Sequence, residues 1–394
     1  MTNGAAPGYL AADDCRLADL IDLVSEKTEQ AGYPNASAIE QNVVVYDSAR
    51  LRAELSSRPG GPRRVSDELI RALQDGPGIV VFTGAFDDLG VIDRATHQFE
   101  AIIADQHAAG GTAGDHFATA GQNDRIWNAL EKLALRAPEV FAAYYANDII
   151  ATVCRAWLGP GYQVTSQVNV VNPGGSAQAV HRDYHLGFAS DSLAAQFPAH
   201  AHRLSPVLTL QGAVAHCDMP AETGPTMYLP HSQKYLPGYL AWRRPEFREY
   251  FEANYVQLPL GQGDVAFFNP ALFHAAGANR TGDVTRMANL LQVSSAFGRA
   301  MEAVDRTAMS AAVFPALLAM RDAGGAGLAR TAIANVIAAC AEGYSFPTNL
   351  DLDQPVGGLA PPTQADILSR AVAEGWPRQK LDTELDAWSA RRRS

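Results

Sequence analysis

The sequence predicts a mainly β protein whose core is flanked by helical segments at both ends. Residues 163–171 alternate between apolar and polar side chains, which is typical of a strand with one face toward a core. Helical spacing of apolar residues at 16–31 and an alanine-rich stretch at 300–342 predict the flanking helices. Short apolar runs bounded by glycines or turn residues predict further strands at 78–84, 207–215 and 286–293, and a hairpin at 256–268 with its turn at 261–264.

The remaining segments follow from local signals. Proline and glycine at 58–64 indicate a loop, and the glycine-rich stretch 110–122 indicates either a lid over a site or an ordinary surface connection. An aromatic insertion at 235–255 predicts a helix. Further helices are predicted at 66–76, 91–105, 364–374 and, with a break at Pro138, 124–158.

Composition narrows the class of protein. The 394 residues carry a net charge of −11, which argues against a nucleic-acid partner, since such proteins concentrate Lys and Arg. The basic run 391–393 is interpreted as a solvated tail. No apolar run approaches the roughly 18 residues that span a bilayer, and no secretory signal is visible. The four scattered cysteines fit reduced thiols, so we expect a cytoplasmic protein. Because no apolar run is long enough, we expect no membrane partner.

Two segments offer ligands for one metal ion. If residues 180–185 are extended, His181 and Asp183 project from the same face, one pleat apart. A second histidine, His274, follows the apolar run that ends at Phe273. Two histidines and a carboxylate form the facial triad of non-heme Fe(II) oxygenases. Arg286 follows, and its guanidinium can hold a carboxylate through two parallel hydrogen bonds.

The order of His181, Asp183, His274 and Arg286, with the turn 222–226 between them, resembles the phytanoyl-CoA dioxygenase family of Fe(II)/2-oxoglutarate oxygenases. This resemblance implies a double-stranded β-helix core, also called a jelly roll and similar to a cupin. It covers about 66–297. We therefore expect an N-terminal helical extension at 1–65, the dioxygenase domain at 66–299, and a C-terminal helical extension packed on the core at 300–394.

The resemblance also implies the activity. His181, Asp183 and His274 would bind Fe(II) and serve as the catalytic set, and Arg286 would bind 2-oxoglutarate. With O2, such an enzyme hydroxylates or otherwise oxidises a small organic substrate and converts 2-oxoglutarate to succinate. Halogenating relatives have a small residue in place of the carboxylate, so Asp183 favours hydroxylation.

Further site residues are expected around this set. Asn169 is a co-substrate candidate because related enzymes place an amide on the corresponding strand. Family members often carry a hydroxyl two positions after the second histidine, where this chain has Ala276; Thr226 or Thr285 could replace it. For the substrate, we expect contacts from Gln167 on the strand 163–171, and from Tyr184 and His185 directly after the carboxylate. His185 would share a face with His181 if the strand continued.

Several alternatives remain at this point. His216 and Asp218 form a second H-x-D, but it lies at a strand end and lacks a later His and Arg of its own. Arg280 competes with Arg286 as the carboxylate anchor. The function could instead be that of a cupin-like metal enzyme that does not use 2-oxoglutarate, or of a non-catalytic binding module. A homo-oligomer also stays open, because the helix at 16–31 could pack on a second subunit.

Overall fold

The structure is a computed structural model that describes residues 8–57, 60–110, 122–324 and 327–393. Within these residues the chain forms two compact units. Described residues up to 87, together with 122–125 and 169–290, make up the first unit. The other described residues make up the second.

The strands form one sheet of eight and one of three. Their bounds are β1 Ala38–Glu40, β2 Val43–Asp47, β3 Ile79–Thr83, β4 Asn123–Ile126, β5 Gln163–Val171, β6 Thr209–Ala215, β7 Thr226–Leu229, β8 Val256–Gln257, β9 Val265–Phe268, β10 Phe273–Ala276 and β11 Arg286–Ser294. The larger sheet has the order β1-β2-β3-β9-β6-β11-β5-β4, and the smaller has the order β10-β7-β8. The pair β2 and β3 is parallel, whereas β3, β9 and β6 pair antiparallel.

The helices take up more residues than the strands. Their bounds are α1 Leu17–Val24, α2 Ser48–Ser57, α3 Gly61–Gln74, α4 Leu89–Ala108, α5 Ala129–Arg136, α6 Pro138–Tyr145, α7 Asp148–Leu158, α8 Asp191–Ala194, α9 Ala199–Val207, α10 Gly238–Ala241, α11 Pro245–Asn254, α12 Arg306–Ala323, α13 Leu328–Cys340, α14 Gln364–Glu374 and α15 Arg378–Arg391. The predicted β core is therefore present, but the chain as a whole is richer in helix than a mainly β protein.

In the first unit, the two sheets pack face to face. Alternate residues of β2, β3 and β9 point toward β7 and β8 and form a buried apolar cluster that includes Val45, Val81, Phe268 and Tyr228. The opposite side of β7 and β10 packs against α1, α10 and α11 through a second cluster that includes Phe247 and Phe273. Burial of both clusters fixes the position of β10, the strand that carries His274.

In the second unit, α12 is the central helix and packs on α5, α6, α13 and α14. Its first residue, Arg306, is buried and donates hydrogen bonds to the carbonyl oxygens of Val164 at 2.9 Å and Ala339 at 3.2 Å.

The basic C-terminal run is not the solvated tail that was predicted. The guanidinium of Arg392 lies 3.2 Å from the buried carboxylate of Asp353.

Several predicted boundaries were wrong. The helix α3 begins at Gly61 because the proline that follows is compatible with the first turn of a helix. Residues 123–126 pair as β4 instead of opening a helix. The segment that contains His181 is an isolated β-bridge and not a regular strand. Most of the stretch proposed as a lid, 111–121, lies outside the described residues.

We expect Gly224→Ala to destabilise the first unit. Gly224 has φ 73° in the turn before β7, and a Cβ there would overlap the backbone of Gly277 and Ala278. Left-handed strain and overpacking together predict a loss of about 2 kcal/mol or more in the free energy of unfolding, measured in urea. Gly282→Ala is the matched control, because its Cβ would have no neighbour within 4 Å. Equal stability of the two variants would contradict this account.

The buried His231 predicts a pH-dependent stability. Its Nε2 lies 3.1 Å from the hydroxyl of Thr28, and burial lowers its pKa to about 4 from the ordinary 6.5. Between these values the unfolded chain binds a proton that the folded chain excludes, so the free energy of unfolding falls as the pH falls from 6.5 to about 4.

His231→Asn removes this titration, and asparagine tolerates the φ of 69° at this position. The slope of unfolding free energy against pH should therefore become shallower by up to about 1.4 kcal/mol per pH unit. Urea titrations between pH 4.5 and 7.5 measure it. An unchanged slope would contradict the assignment to His231.

Candidate metal centre

The backbone brings two histidines into direct opposition. The amide of His181 donates to the carbonyl of His274 at 2.9 Å, and the amide of His274 donates back at 3.1 Å. This reciprocal pair is an antiparallel bridge, so the two side chains leave the backbone on the same face. Their ring centroids lie 4.4 Å apart.

Hydrogen bonds fix the orientation of both imidazoles. The Nδ1 of His181 lies 2.9 Å from the carbonyl oxygen of Ala179, and the Nδ1 of His274 lies 2.8 Å from that of Leu272. Because a carbonyl can only accept, each Nδ1 carries the proton in the neutral ring. Each Nε2 then keeps its lone pair, which is the arrangement that a metal ligand requires.

Asp183 completes the cluster between the two imidazoles. Its carboxylate oxygens lie 3.7 Å from Nε2 of His181 and 3.5 Å from Nε2 of His274. Although burial acts to raise its pKa, the two histidines and a hydrogen bond from Gln211 outweigh this and hold the pKa well below its usual range. Burial lowers the pKa of His181, which favours the neutral ring. The carboxylate is therefore charged and the His181 ring is neutral at pH 7.

The three residues can hold a metal ion. One ligand atom from each lies within 4.8 Å of the others, and in the described part of the chain no other such group of three His, Cys, Asp or Glu side chains occurs. The rival histidine, His216, is buried, and burial lowers its pKa to about 3. Its partner Asp218 accepts a hydrogen bond from the backbone of Gln262 instead.

Arg286 opens β11 as a buried cation. It is 5% exposed, and its guanidinium donates to the carbonyl oxygens of Thr223 at 3.2 Å and Gly277 at 3.5 Å. Burial lowers its pKa to about 10, so it stays charged at neutral pH. No carboxylate of the described residues forms an ion pair with it. A buried charge of this kind favours an anionic ligand.

Comparison with known families decides the relationship. The family model for phytanoyl-CoA dioxygenase matches residues 63–288, more than half of the chain. The chain belongs to the phytanoyl-CoA dioxygenase family. The predicted family is thereby confirmed, and the metal-binding cluster agrees with the cofactor predicted for it. No curated protein matches the chain.

The solved structures that are similar to this family member have low sequence identity to it. The 2-oxoglutarate-dependent epimerase SnoN from nogalamycin biosynthesis is 21% identical, with 61% of this chain and 84% of that chain covered and a TM-score of 0.40. The carbocyclase SnoK from the same biosynthesis is 20% identical, with 60% and 86% covered and a TM-score of 0.41. HygX from Streptomyces hygroscopicus, with nickel and 2-oxoglutarate bound, is 16% identical, with 58% and 87% covered and a TM-score of 0.38.

Two residues predicted to bind the co-substrate in this family member lie in the first unit. Asn169, on β5, is buried, and its side-chain oxygen has no hydrogen-bond partner among the described residues. Thr226 opens β7 and lies directly opposite Ala276 of β10. A hydroxyl from the neighbouring strand therefore stands beside the position where the family often has one. Thr285, the other candidate, is exposed.

The residues predicted to contact the substrate are not all placed as the sequence predicted. The strand does not continue past Asp183, so His185 does not share a face with His181 as expected. Tyr184 has φ 61° and His185 has φ 37°, and the chain turns into a short 3-10 helix. Tyr184 is buried and His185 is exposed. Gln167 belongs to the second unit, where its amide lies 3.9 Å from the sulfur of Met301, and its role stays a prediction.

Sequence reasoning missed Gln211. This residue lies on β6, is buried, and donates from Nε2 to the carboxylate of Asp183. The signal that could have identified it is a glutamine in the middle of an otherwise apolar buried strand, where a polar group needs a partner.

We expect Gln211→Leu to weaken metal binding. The substitution removes the hydrogen bond that orients the carboxylate of Asp183, and the loss of such an outer partner costs about 10- to 100-fold in metal affinity. Anaerobic calorimetry with Fe(II) measures the affinity, and thermal unfolding of the metal-free protein reports the stability. An affinity equal to that of the unsubstituted chain would contradict an orienting role.

The described residues contain no helix with the length and apolarity needed to cross a membrane. The predictions of a cytoplasmic location and of an oligomeric state stay predictions.

Proposed function

We propose that the chain is an Fe(II)- and 2-oxoglutarate-dependent dioxygenase that hydroxylates, or otherwise oxidises, a small organic substrate. The observation that carries this proposal is the convergence of two Nε2 atoms and one charged carboxylate on a single point. Two histidines and a carboxylate leave coordination positions open, which suits a ferrous oxygenase better than a closed structural site.

His181, Asp183 and His274 would hold the ferrous ion, and Arg286 would hold the far carboxylate of 2-oxoglutarate. When bound, the iron and the 2-oxo acid together supply the activation of O2, with succinate and CO2 as products. The protein's own contribution is to orient the ligands and to exclude water. Asn169 and Thr226 would add hydrogen bonds to the co-substrate, and Tyr184, His185 and Gln167 would contact the substrate.

The buried charge of Arg286 supports the choice of co-substrate. Its partners in the described residues are two carbonyl oxygens, which leave the positive charge without a counter-ion. A dicarboxylic acid bound at a nearby metal would provide one. By contrast, Arg280 is exposed and needs no anion. A cupin-like enzyme that does not use 2-oxoglutarate would have no need of a buried guanidinium here.

We also propose that the dioxygenase machinery belongs to residues 66–299 and has the double-stranded β-helix architecture. The face-to-face packing of the two sheets in the first unit supports this. Residues 1–65 and 300–394 would then be extensions of that domain.

The test is the consumption of 2-oxoglutarate by the purified chain with Fe(II) in air, followed as succinate and CO2. Turnover that requires both iron and 2-oxoglutarate is expected, and a metabolite screen should identify compounds that accelerate it. Oxidation that proceeds without 2-oxoglutarate would instead indicate a cupin-like enzyme. No turnover, with intact folding of His181→Ala, would indicate a binding module.

A further inference from the structure

A second buried cation lies between two of the metal ligands. Arg182 is 2% exposed, and its guanidinium donates to the carbonyl oxygens of Ser232 at 2.5 Å and Tyr235 at 2.9 Å. A guanidinium is charged at neutral pH. In the described residues no carboxylate forms an ion pair with it. Such a charge is costly to bury, so its contacts need an explanation beyond filling space.

Aromatic rings and a glycine complete the surroundings of this guanidinium. Its central carbon lies 4.9 Å from the ring centroid of Phe273 and 5.2 Å from that of Tyr239, which are cation–π distances. A Cβ at position 238 would overlap the guanidinium, so only glycine leaves room for it. Phe273 directly precedes His274. Arg182, itself part of the His181–Asp183 stretch, therefore contacts the stretch that carries His274.

The segment 232–243 holds these two stretches at further points. The hydroxyl of Ser232 accepts from the amide of Phe273 at 2.8 Å. The hydroxyl of Tyr239 donates to the carbonyl of Asp183 at 3.3 Å, and the guanidinium of Arg243 donates to the carbonyl of Gly187 at 3.1 Å. All these residues belong to the first unit. Segment 232–243 thus contacts the stretch with His181 and Asp183, which precedes it, and the stretch with His274, which follows it.

The backbone between two of these points adopts rare conformations. Tyr184, with φ 61° and ψ 153°, and His185, with φ 37°, lie between the held carbonyls of Asp183 and Gly187. Non-glycine residues persist in such regions only when their surroundings over-determine them. The contacts from segment 232–243 contribute to this constraint, together with the hydrogen bond from the amide of Asp183 to the carbonyl of Pro270 at 3.0 Å. Without the contacts from segment 232–243, the chain after Asp183 would be held less tightly.

We propose that Arg182 is a positioning residue of the metal centre, which sets the separation of the His181–Asp183 stretch from His274 by attaching its own stretch to segment 232–243, the segment that also holds Phe273. This inference rests on the proposed function only in that the three ligands bind a metal. A purely structural role predicts no change in metal affinity when Arg182 is replaced, whatever the change in stability. A positioning role predicts a loss of affinity.

The experiment compares Arg182→Met and Arg182→Lys with Arg306→Met in the full-length chain. Arg306 is the matched control, because it is also a buried arginine that donates to two carbonyl oxygens, but its partners belong to the second unit. Fe(II) affinity is measured by anaerobic calorimetry, and the thermal unfolding of the metal-free proteins is measured in parallel.

We expect R182M to weaken Fe(II) binding by about tenfold or more. Lysine keeps the charge but not the planar guanidinium that faces the rings of Phe273 and Tyr239, so R182K should recover only part of the affinity. R306M should leave the Fe(II) affinity unchanged, whatever its effect on the unfolding temperature. Should R182M fail to fold, R182K and Tyr239→Phe carry the same comparison, since Tyr239→Phe keeps the ring and removes the hydroxyl that donates to Asp183.

Equal Fe(II) affinities for the Arg182 variants and R306M would overturn the positioning role. The proposed function would survive that result if the unsubstituted chain consumed 2-oxoglutarate. An unsubstituted chain that binds no Fe(II) would overturn both proposals.

Discussion

Replacement of Asp183 by asparagine is expected to lower the affinity for Fe(II) by at least about 100-fold and to reduce succinate formation to background. Asparagine has nearly the same shape as aspartate, so the change isolates the charge. The carboxylate lies within 3.7 Å of Nε2 of His181 and 3.5 Å of Nε2 of His274, and it is the only anionic member of the cluster. A neutral amide oxygen is a much weaker ligand for a divalent cation.

The same substitution in the rival motif provides the control. Asp218→Asn changes the carboxylate of the second H-x-D, which accepts a hydrogen bond from the backbone of Gln262 and belongs to no metal-binding cluster of the described residues. D218N should therefore bind Fe(II) as the unsubstituted chain does. Normal Fe(II) binding by D183N, or loss of binding in D218N alone, would place the metal elsewhere.

The convergence of the three candidate ligands could be predicted from the sequence because ligand type and order are local information. His181 and Asp183 lie two residues apart, and His274 follows an apolar run. The three side chains meet even though the predicted supporting strand was wrong. His181 makes a single bridge, and the amide of Asp183 donates to the carbonyl of Pro270, so backbone hydrogen bonds without a regular strand are enough to bring the side chains together.

The residues that hold the ligands could not be predicted in this way. Gln211 reaches Asp183 from a strand that is distant in sequence, and the contacts of Arg182 with Ser232 and Tyr235 depend on how segment 232–243 packs. Periodicity shows that a side chain is buried but not which group it meets. The left-handed conformation of Tyr184 is likewise imposed by tertiary contacts, against the preference of the residue.

Arg286→Met is expected to raise the KM for 2-oxoglutarate by about 30-fold or more while Fe(II) affinity is retained. Loss of one partner of a buried charge pair costs about 2 kcal/mol or more, and 1.4 kcal/mol corresponds to a factor of ten. Arg286→Lys should lie between, since an ammonium group is a point charge that cannot form the paired hydrogen bonds of a guanidinium. Initial rates of succinate formation at varied 2-oxoglutarate give the KM.

The stability of the metal-free R286M protein is a second, independent test of whether Arg286 binds an anion. Most substitutions of buried residues destabilise a protein, but Arg286 is a buried charge without a carboxylate partner among the described residues. Methionine removes this cost while it fills similar space, so R286M should unfold at the same temperature as the unsubstituted chain or higher. Binding of an anion by Arg286 would explain why the chain has a buried charge that lowers the stability of the ligand-free protein.

Arg280→Met, a substitution of the exposed alternative, is the control and should change neither the KM for 2-oxoglutarate nor the stability. A raised KM in R280M with a normal KM in R286M would show that Arg280 is the residue that binds the carboxylate.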